Sequence, residues 1–201
     1  MMKADAAPTA IHTLASIIDR LDEQTLFAQK QPLEVEIGAG DGSFLANYAA
    51  ANPRHNFIGI ERLLGRLRKI DRKGRRAGLQ NLALLRIEAA YFIEYLLPSN
   101  AVQAIHIYFP DPWPKKKHRR HRLIAARFPE IARQVLVPDG TVYLRTDDAD
   151  YFAQMQEVFA SALDSFDPIA TPPELAAFTT DFERSFNARG IATLRAAYRL
   201  K

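Results

Sequence analysis

Leu33-Glu34-Val35-Glu36-Ile37-Gly38-Ala39-Gly40-Asp41-Gly42 is the stretch on which the reading of this chain turns. Leu33 to Ile37 has the length and apolar content of a short buried strand, and it breaks directly into alternating glycines. A helix from about Ser43 to Ala51 follows, ended by Asn52-Pro53. Strand, glycine turn and helix in that order form the first unit of an open parallel sheet. The same alternation continues outward. Asn56 to Ile60 reads as a strand that stops at Glu61, and residues 62–77 as a helix with Leu63, Leu67 and Ile70 turned inward. Leu82 to Ile87 is a third strand, ending at Glu88, and Ala89 to Leu97 a helix closed by Pro98. Residues 102–107 form a fourth strand, Leu123 to Leu136 a helix, and Val137-Pro138-Asp139-Gly140 a turn into a fifth strand, Thr141 to Arg145. Asp150 to Leu163 is a further helix, and Ile191 to Leu200 a terminal strand entered at Gly190. The expected class is α/β: a doubly wound, mostly parallel, Rossmann-like sheet with helices on both faces. Residues 1–30 are expected to hold a loose tail (1–8) and a helix from Ile11 to Phe27, and residues 31–201 a single domain.

In such a sheet ligands bind outside the carboxyl ends of the strands. Glu36, Gly38, Gly40, Glu61, Glu88 and Asp111 all fall at or just past those ends, in four successive strands. An isolated acid there caps a helix or meets solvent; four together point to a ligand. The glycines at 38, 40 and 42 miss the dinucleotide spacing, with Ser43 at the place of its third glycine. Glu36 and Asp41 would repel a pyrophosphate and favour a cationic ligand. S-adenosylmethionine, with its ammonium and sulfonium, suits this loop better than NAD. Glu61 is placed to accept from ribose hydroxyls, a role both ligand classes share.

The fourth strand delivers Phe109-Pro110-Asp111-Pro112-Trp113-Pro114, followed at once by Lys115-Lys116-Lys117-His118-Arg119-Arg120-His121-Arg122. Each proline pushes its predecessor out of the helical region, so Phe109, Asp111 and Trp113 are expected to be extended, forming a stiff rod. Residues 62–76 carry Arg62, Arg66, Arg68, Lys69, Arg72, Lys73, Arg75 and Arg76 against the single acid Asp71. Two such basic stretches in a chain of net charge +4 are the footprint of a polyanion partner. The 201 residues, 48% apolar and 25% charged, are enough for a sizeable core. The absence of cysteine excludes disulfides and thiolate metal sites. No apolar run is long enough to span a bilayer, and the first residues lack the apolar core of a signal peptide, so a cytoplasmic protein is expected. No metal site or nucleophilic triad is legible, and His12, His55 and His106 carry no usable signal.

The glycine loop from Glu36 to Gly42, Gly59-Ile60-Glu61 and above all Phe109 to His118 resemble the bacterial tRNA (guanine-N7)-methyltransferases, enzymes of class I that modify position 46 in the tRNA variable loop. Arg145-Thr146-Asp147 and Thr180-Asp181-Phe182-Glu183-Arg184 resemble that family's later motifs, and the likeness covers roughly residues 33–200. It implies a class I methyltransferase fold, S-adenosyl-L-methionine as cofactor, and tRNA as partner. It implies that Glu36, Gly38, Gly40, Glu61, Glu88 and Asp111 meet the cofactor, and that Lys115, His118, Asp147, Thr180 and Glu183 meet the tRNA. Glu88 stands where the family more often has Asp or Asn.

Guanine N7 has a free lone pair, so alignment matters more than proton removal. Asp111 is therefore expected as the catalytic residue, positioning the guanine and stabilising the charge that develops on it, rather than as an obligatory base. Trp113 reads equally as a stacking platform or as a core anchor, and His118 and His121 as phosphate contacts or as plain solvated residues. Lys115 to Arg122 and the 62–76 helix are expected to meet phosphates. The competing readings are an NAD-dependent oxidoreductase, another nucleic-acid methyltransferase, and a non-catalytic RNA-binding protein on the same fold. A monomer and a homodimer are both compatible with the sequence.

Overall fold

The computed structural model describes residues 8–201, so the expected tail lies, up to residue 7, outside the described residues. In chain order the strands and helices are β1 (Ile11–His12), β2 (Leu33–Ile37), α1 (Ser43–Ala51), β3 (Asn56–Ile60), α2 (Leu64–Arg76), β4 (Leu82–Leu85), α3 (Ala89–Tyr91), β5 (Val102–Tyr108), α4 (Phe128–Val135), β6 (Leu136–Thr146), α5 (Ala149–Ala160), β7 (Phe166–Ile169), α6 (Pro173–Ala176), α7 (Asp181–Asn187) and β8 (Leu194–Leu200). A π-helical turn, Phe92–Leu96, continues α3, and 3-10 turns cover Glu23–Thr25 and Lys116–His121.

One eight-stranded sheet runs in the order β1-β4-β3-β2-β5-β6-β8-β7. The strands from β1 to β6 pair in parallel, and β8 is antiparallel to both β6 and β7. Strand periodicity splits the side chains between the two faces. Leu33, Val35 and Ile37 of β2, with Ile58, Ile60, Ile105 and Ile107, enter the larger apolar core. The opposite face packs on α1 and α2 through Phe44, Leu45, Leu67 and Ile70, which meet Phe57, Leu84 and Tyr108. On that second face the central strands also carry Glu34, Glu36 and His106, all buried.

Several expectations are corrected. No helix spans Ile11 to Phe27. Residues 11–12 instead extend the sheet, pairing with Leu84 and Leu85. Asp71 fixes the chain just before them, accepting from the Ala10 N–H (2.7 Å) and the Thr9 hydroxyl (3.0 Å). The Ser16 hydroxyl accepts from the N–H groups of Ile18 and Asp19, a local alternative to helical bonding. An open sheet edge and a buried carboxylate outweigh a loose helical period. The helix expected from Leu123 begins only at Phe128, because Pro129 fits the first turn of a helix and not its interior. Leu63 lies outside α2 and is 56% exposed, not turned inward. The Val137–Gly140 turn is held within β6 as a break in register: Leu136 pairs with Val102, and Thr141 with Ala104. Antiparallel β7, paired with β8, has no counterpart among the expected elements.

The proline segment is not a straight extended rod. Phe109 and Trp113 adopt left-handed backbone, with φ of 52° and 44°. Proline keeps both out of the right-handed helical region, and tertiary contacts then decide the remainder. The Phe109 N–H donates to the Arg145 carbonyl at 2.8 Å, and its ring packs 5.6 Å from that of Phe186. The Pro112 carbonyl accepts from Arg122 Nε at 2.7 Å. The segment is stiff, but it is bent at two residues and braced.

Candidate active site

The strand order reverses between β2 and β5, where the chain stops adding strands on one side and begins on the other. Adjacent strands whose connections diverge leave a crevice at their carboxyl ends. A cavity of about 550 Å³ opens there, walled by Gly38, Gly40, Glu61, Glu88, Asp111 and Phe182 among others. A volume of this order accommodates a nucleoside-sized ligand. Asp111 thus shares one cavity with the glycine loop, although residues 38 and 111 are far apart in sequence.

The loop owes its shape to backbone that side-chain-bearing residues rarely adopt: Gly38, Gly40 and Gly42 all have positive φ. Gly42 is also needed for space, since a Cβ there would lie 2.6 Å from Ile70 Cγ1 on α2. Lys73, also on α2, donates to Asp41 Oδ2 at 2.5 Å and to the Ser43 hydroxyl at 2.9 Å. Burial alone would raise the Asp41 carboxyl. The bonds from Lys73 and Ser43 outweigh it and hold the group well below the usual carboxylate range. The basic helix and the glycine loop are therefore tied to each other through Lys73 and the Gly42–Ile70 contact.

Glu36 lies two residues behind Gly38, almost fully buried, and its Oε2 has no hydrogen-bond partner. Burial pushes its carboxyl up to about 8; the Arg145 charge opposes the rise, and Asp41 and Glu61 reinforce it. A carboxylate held in this condition is poised for a cationic group, which would supply both the missing hydrogen bond and the missing charge. Glu61 is buried at the end of β3, its Oε1 accepting from the Leu63 N–H at 2.9 Å and its Oε2 lying 3.5 Å from Arg66. Glu88 borders the cavity and caps α3, accepting from the N–H groups of Ala90 (3.1 Å) and Tyr91 (2.8 Å).

The residues expected on the substrate side divide into three groups. Lys115 is exposed, while Trp113 is 36% exposed, its ring 5.9 Å from His118 and 5.2 Å from His121. Thr180 caps α7, accepting from the Glu183 N–H at 3.0 Å, and Asp147 is half-buried just past β6. Glu183 does not face the cavity. It is fully buried, with Oε2 2.9 Å from Arg145 and Oε1 bonded to Arg195. Arg145 in turn donates to the carbonyls of Phe178 (2.6 Å) and Leu175 (2.8 Å) and lies over the Tyr108 ring at 4.2 Å. Lys115, His118, Asp147, Thr180 and Glu183 are all absent from the cavity wall.

Arg122 departs from its expected phosphate role. It is buried, pairs with Asp150 at 2.6 Å, and braces the proline segment through the Pro112 carbonyl. Arg119 also pairs with Asp150. Among the described residues, Lys115, Lys116, Lys117 and Arg120 are the cations of that strip with no salt-bridge partner. Asp71 is likewise no counter-charge for the exposed cations of α2, because it is buried against Thr9 and Ala10.

The sequence reading missed a chain of buried polar groups beneath the site. His55 Nδ1 lies 2.6 Å from Glu34 Oε1, His106 Nε2 lies 2.7 Å from Glu34 Oε2, and the Tyr108 hydroxyl lies 2.8 Å from His106 Nδ1. Burial acts to raise the Glu34 carboxyl, but the bonds from His106 and His55 prevail and lower it. Burial also raises the Tyr108 phenol, which stays neutral. The available signal was the two-residue spacing: Glu34 with Glu36, and His106 with Tyr108, on strands otherwise apolar.

Residues 30–196 match the model of a protein family described as "Putative methyltransferase". A curated tRNA (guanine-N(7)-)-methyltransferase of Halorhodospira halophila is 33% identical over 193 residues, covering 90% of this chain and 80% of the relative. The chain belongs to this methyltransferase family. A tRNA (guanine-N(7)-)-methyltransferase of Thermotoga maritima is 36% identical over 142 residues, which span 71% of this chain but only 45% of that protein. For the relative from Chromohalobacter salexigens the share is 56%, so the chain spans about half the length of these two. Among solved structures, the 16S rRNA methyltransferase KamB superposes with a TM-score of 0.61 at 19% identity, covering 89% of this chain and 92% of that one. TrmN from Thermus thermophilus gives 0.60 at 16% identity, covering 85% and 45%. These superpositions establish the expected Rossmann-like methyltransferase fold.

Proposed function

We propose that this protein transfers the methyl group of S-adenosyl-L-methionine to N7 of guanine 46 in the variable loop of tRNA. The observation that carries this reading is the cavity that the glycine loop shares with the carboxylate of Asp111; Glu36, whose buried Oε2 has no hydrogen-bond partner, lies two residues behind Gly38 and just outside that cavity's wall. The curated relatives bearing this activity by name support the choice of substrate.

When bound, the cofactor supplies an electrophilic methyl on a sulfonium. Glu36 holds its ammonium, Gly38 and Gly40 let the backbone approach, Glu61 accepts from the ribose, and Glu88 borders the adenine. Asp111 accepts from guanine N–H groups and offsets the positive charge that develops on the ring. No proton has to leave N7, so no general base is required. Thr180, Asp147, Lys115 and His118 act on the substrate side. With both oxygens committed to arginines, Glu183 acts by holding Arg145 and the start of α7 in place. Lys115, Lys116, Lys117, Arg120 and the outward cations of α2 bind phosphates. Residues 31–201 act as one domain, working in the cytoplasm as a monomer or homodimer. Among the described residues no helix is long and apolar enough to cross a membrane, and no side-chain cluster suited to a metal ion occurs.

The test is to incubate the protein with labelled cofactor and unmodified tRNA, digest the RNA and identify the nucleoside by mass spectrometry. 7-Methylguanosine at position 46 is expected. Label on another base or position would favour a different nucleic-acid methyltransferase, and absence of transfer despite RNA binding would favour a non-catalytic binding protein.

A further inference from the structure

Helix α2 holds two glycines, and only one of them has a reason inside the chain. Gly74 is buried, and a Cβ there would lie 2.8 Å from Leu82 Cδ2. Gly65 is exposed and has no positive φ, and a Cβ on it would meet nothing within 4 Å. Glycine at such a position weakens a helix relative to alanine, and here neither space within the fold nor backbone angle calls for it. The advantage left to it lies outside the chain. With no side chain in the way, the backbone of another molecule can come down on the helix itself.

The surroundings of Gly65 say what that molecule is. Leu67, Ile70 and Asp71 are turned into the protein. The outward side of α2 runs at helical spacing from Gly65 through Arg68 and Lys69 to Arg72, then to Arg75 and Arg76, all exposed. Among the described residues, the cations of α2 in salt bridges are Arg66 and Lys73, so these five carry unpaired charge. At 1.5 Å per residue the row is about 16 Å long. Its near end adjoins the cavity, where Arg62 and Arg66 stand on the wall. A row of unpaired cations that begins at the cavity and leads away from it fits a polyanionic chain with one unit held inside. On the reading of the site given above, we infer that Gly65 is the point at which the sugar-phosphate backbone beside the target guanine crosses α2, touching the helix backbone. The cations beyond it then meet the phosphates that follow. A methyl group at residue 65 would lift the RNA from the helix and loosen several of those contacts together.

The experiment compares wild type with Gly65→Ala and Gly65→Gln by thermal unfolding, by S-adenosylhomocysteine affinity, and by tRNA affinity across ionic strengths. Both new residues favour helix over glycine, so both variants are expected to melt about 1–3 °C above wild type. S-adenosylhomocysteine affinity is expected to stay unchanged. Affinity for tRNA should move against stability, falling on the order of tenfold in Gly65→Ala and further in Gly65→Gln, with a salt slope lower by about 1–2. A glycine of purely structural use would not oppose stability to RNA binding, nor alter the slope. Wild-type tRNA affinity and slope in both variants overturn the inference. So does a melting temperature below wild type in both, because the fold would then need the glycine, and so does an equal loss of S-adenosylhomocysteine affinity, which would assign it to the cofactor cleft. Methylation by wild type is assayed separately. Absence of transfer with tRNA binding that depends on Gly65 removes the proposed function and leaves this contact standing; transfer with binding indifferent to Gly65 does the reverse.

Discussion

Replacing Glu36 with Gln tests the electrostatics of the site with a change of one atom. In the folded protein the Glu36 carboxyl is raised from the ordinary 4.5 to about 8, chiefly by burial. A group raised on folding stabilises fully below its unfolded pKa, and that contribution is lost as pH rises through the folded value. The folded state therefore holds a proton that the unfolded state has released between pH 4.5 and 8, and stability falls across that window. At about 1.4 kcal/mol per pH unit, the loss reaches at most about 5 kcal/mol by pH 8. Gln cannot ionise. Urea denaturation from pH 5 to pH 9 should find the two proteins close at pH 5 and Glu36→Gln increasingly the more stable towards pH 8, by several kcal/mol. Cofactor affinity should move the opposite way. An ammonium selects the ionised carboxylate, so wild-type binding should strengthen up to about tenfold per pH unit until pH 8, with proton release seen by calorimetry in buffers of different ionisation enthalpy. Glu36→Gln should bind about tenfold or more weakly and lose that slope. Parallel stability profiles, or undiminished cofactor binding by the variant, would refute the reasoning.

Replacing Lys115, Lys116 and Lys117 together with Ala should weaken tRNA binding and lower its salt slope by about 2–3, read from titrations across ionic strengths. An unchanged slope would remove the strip from the RNA surface. Arg122→Ala should instead cost stability, by about 1–3 kcal/mol, since it leaves the Pro112 carbonyl unpaired and removes a buried guanidinium from its bonds to Gln154 and the half-exposed Asp150. Its salt slope should stay within about one unit of wild type. Gly42→Ala should fold less stably and bind cofactor more weakly, because the new methyl group meets Ile70 and the positive φ is strained. Dialysis with labelled cofactor reads that loss directly.

Alternating apolar runs, glycines at a strand end and acids at four successive ends were legible because each is a local pattern with one cheap structural solution. What stayed hidden depended on distant partners. Residues 11–12 became a strand because β4 offered an edge and Asp71 an acceptor, neither visible in their own spacing. Arg122 looks like one more cation of a basic run, and only the fold turns it inward to Pro112 and Asp150. Phe109 and Trp113 were correctly excluded from the helical region, but the proline rule does not say which side of the map they take. Phe182 stood within a recognised motif, yet its exposure over Gly40 follows only from where α7 docks. The Glu34–His106–Tyr108 chain joins β2 to β5 across the switch point, a neighbour relation set by topology.

The most direct test of the account is the single-turnover methylation rate of Asp111→Asn at saturating cofactor and tRNA. The amide keeps the shape of the side chain and removes its charge, so the rate should fall about 100-fold or more while the fold and RNA binding persist. A rate within about threefold of wild type would contradict a carboxylate acting on the guanine.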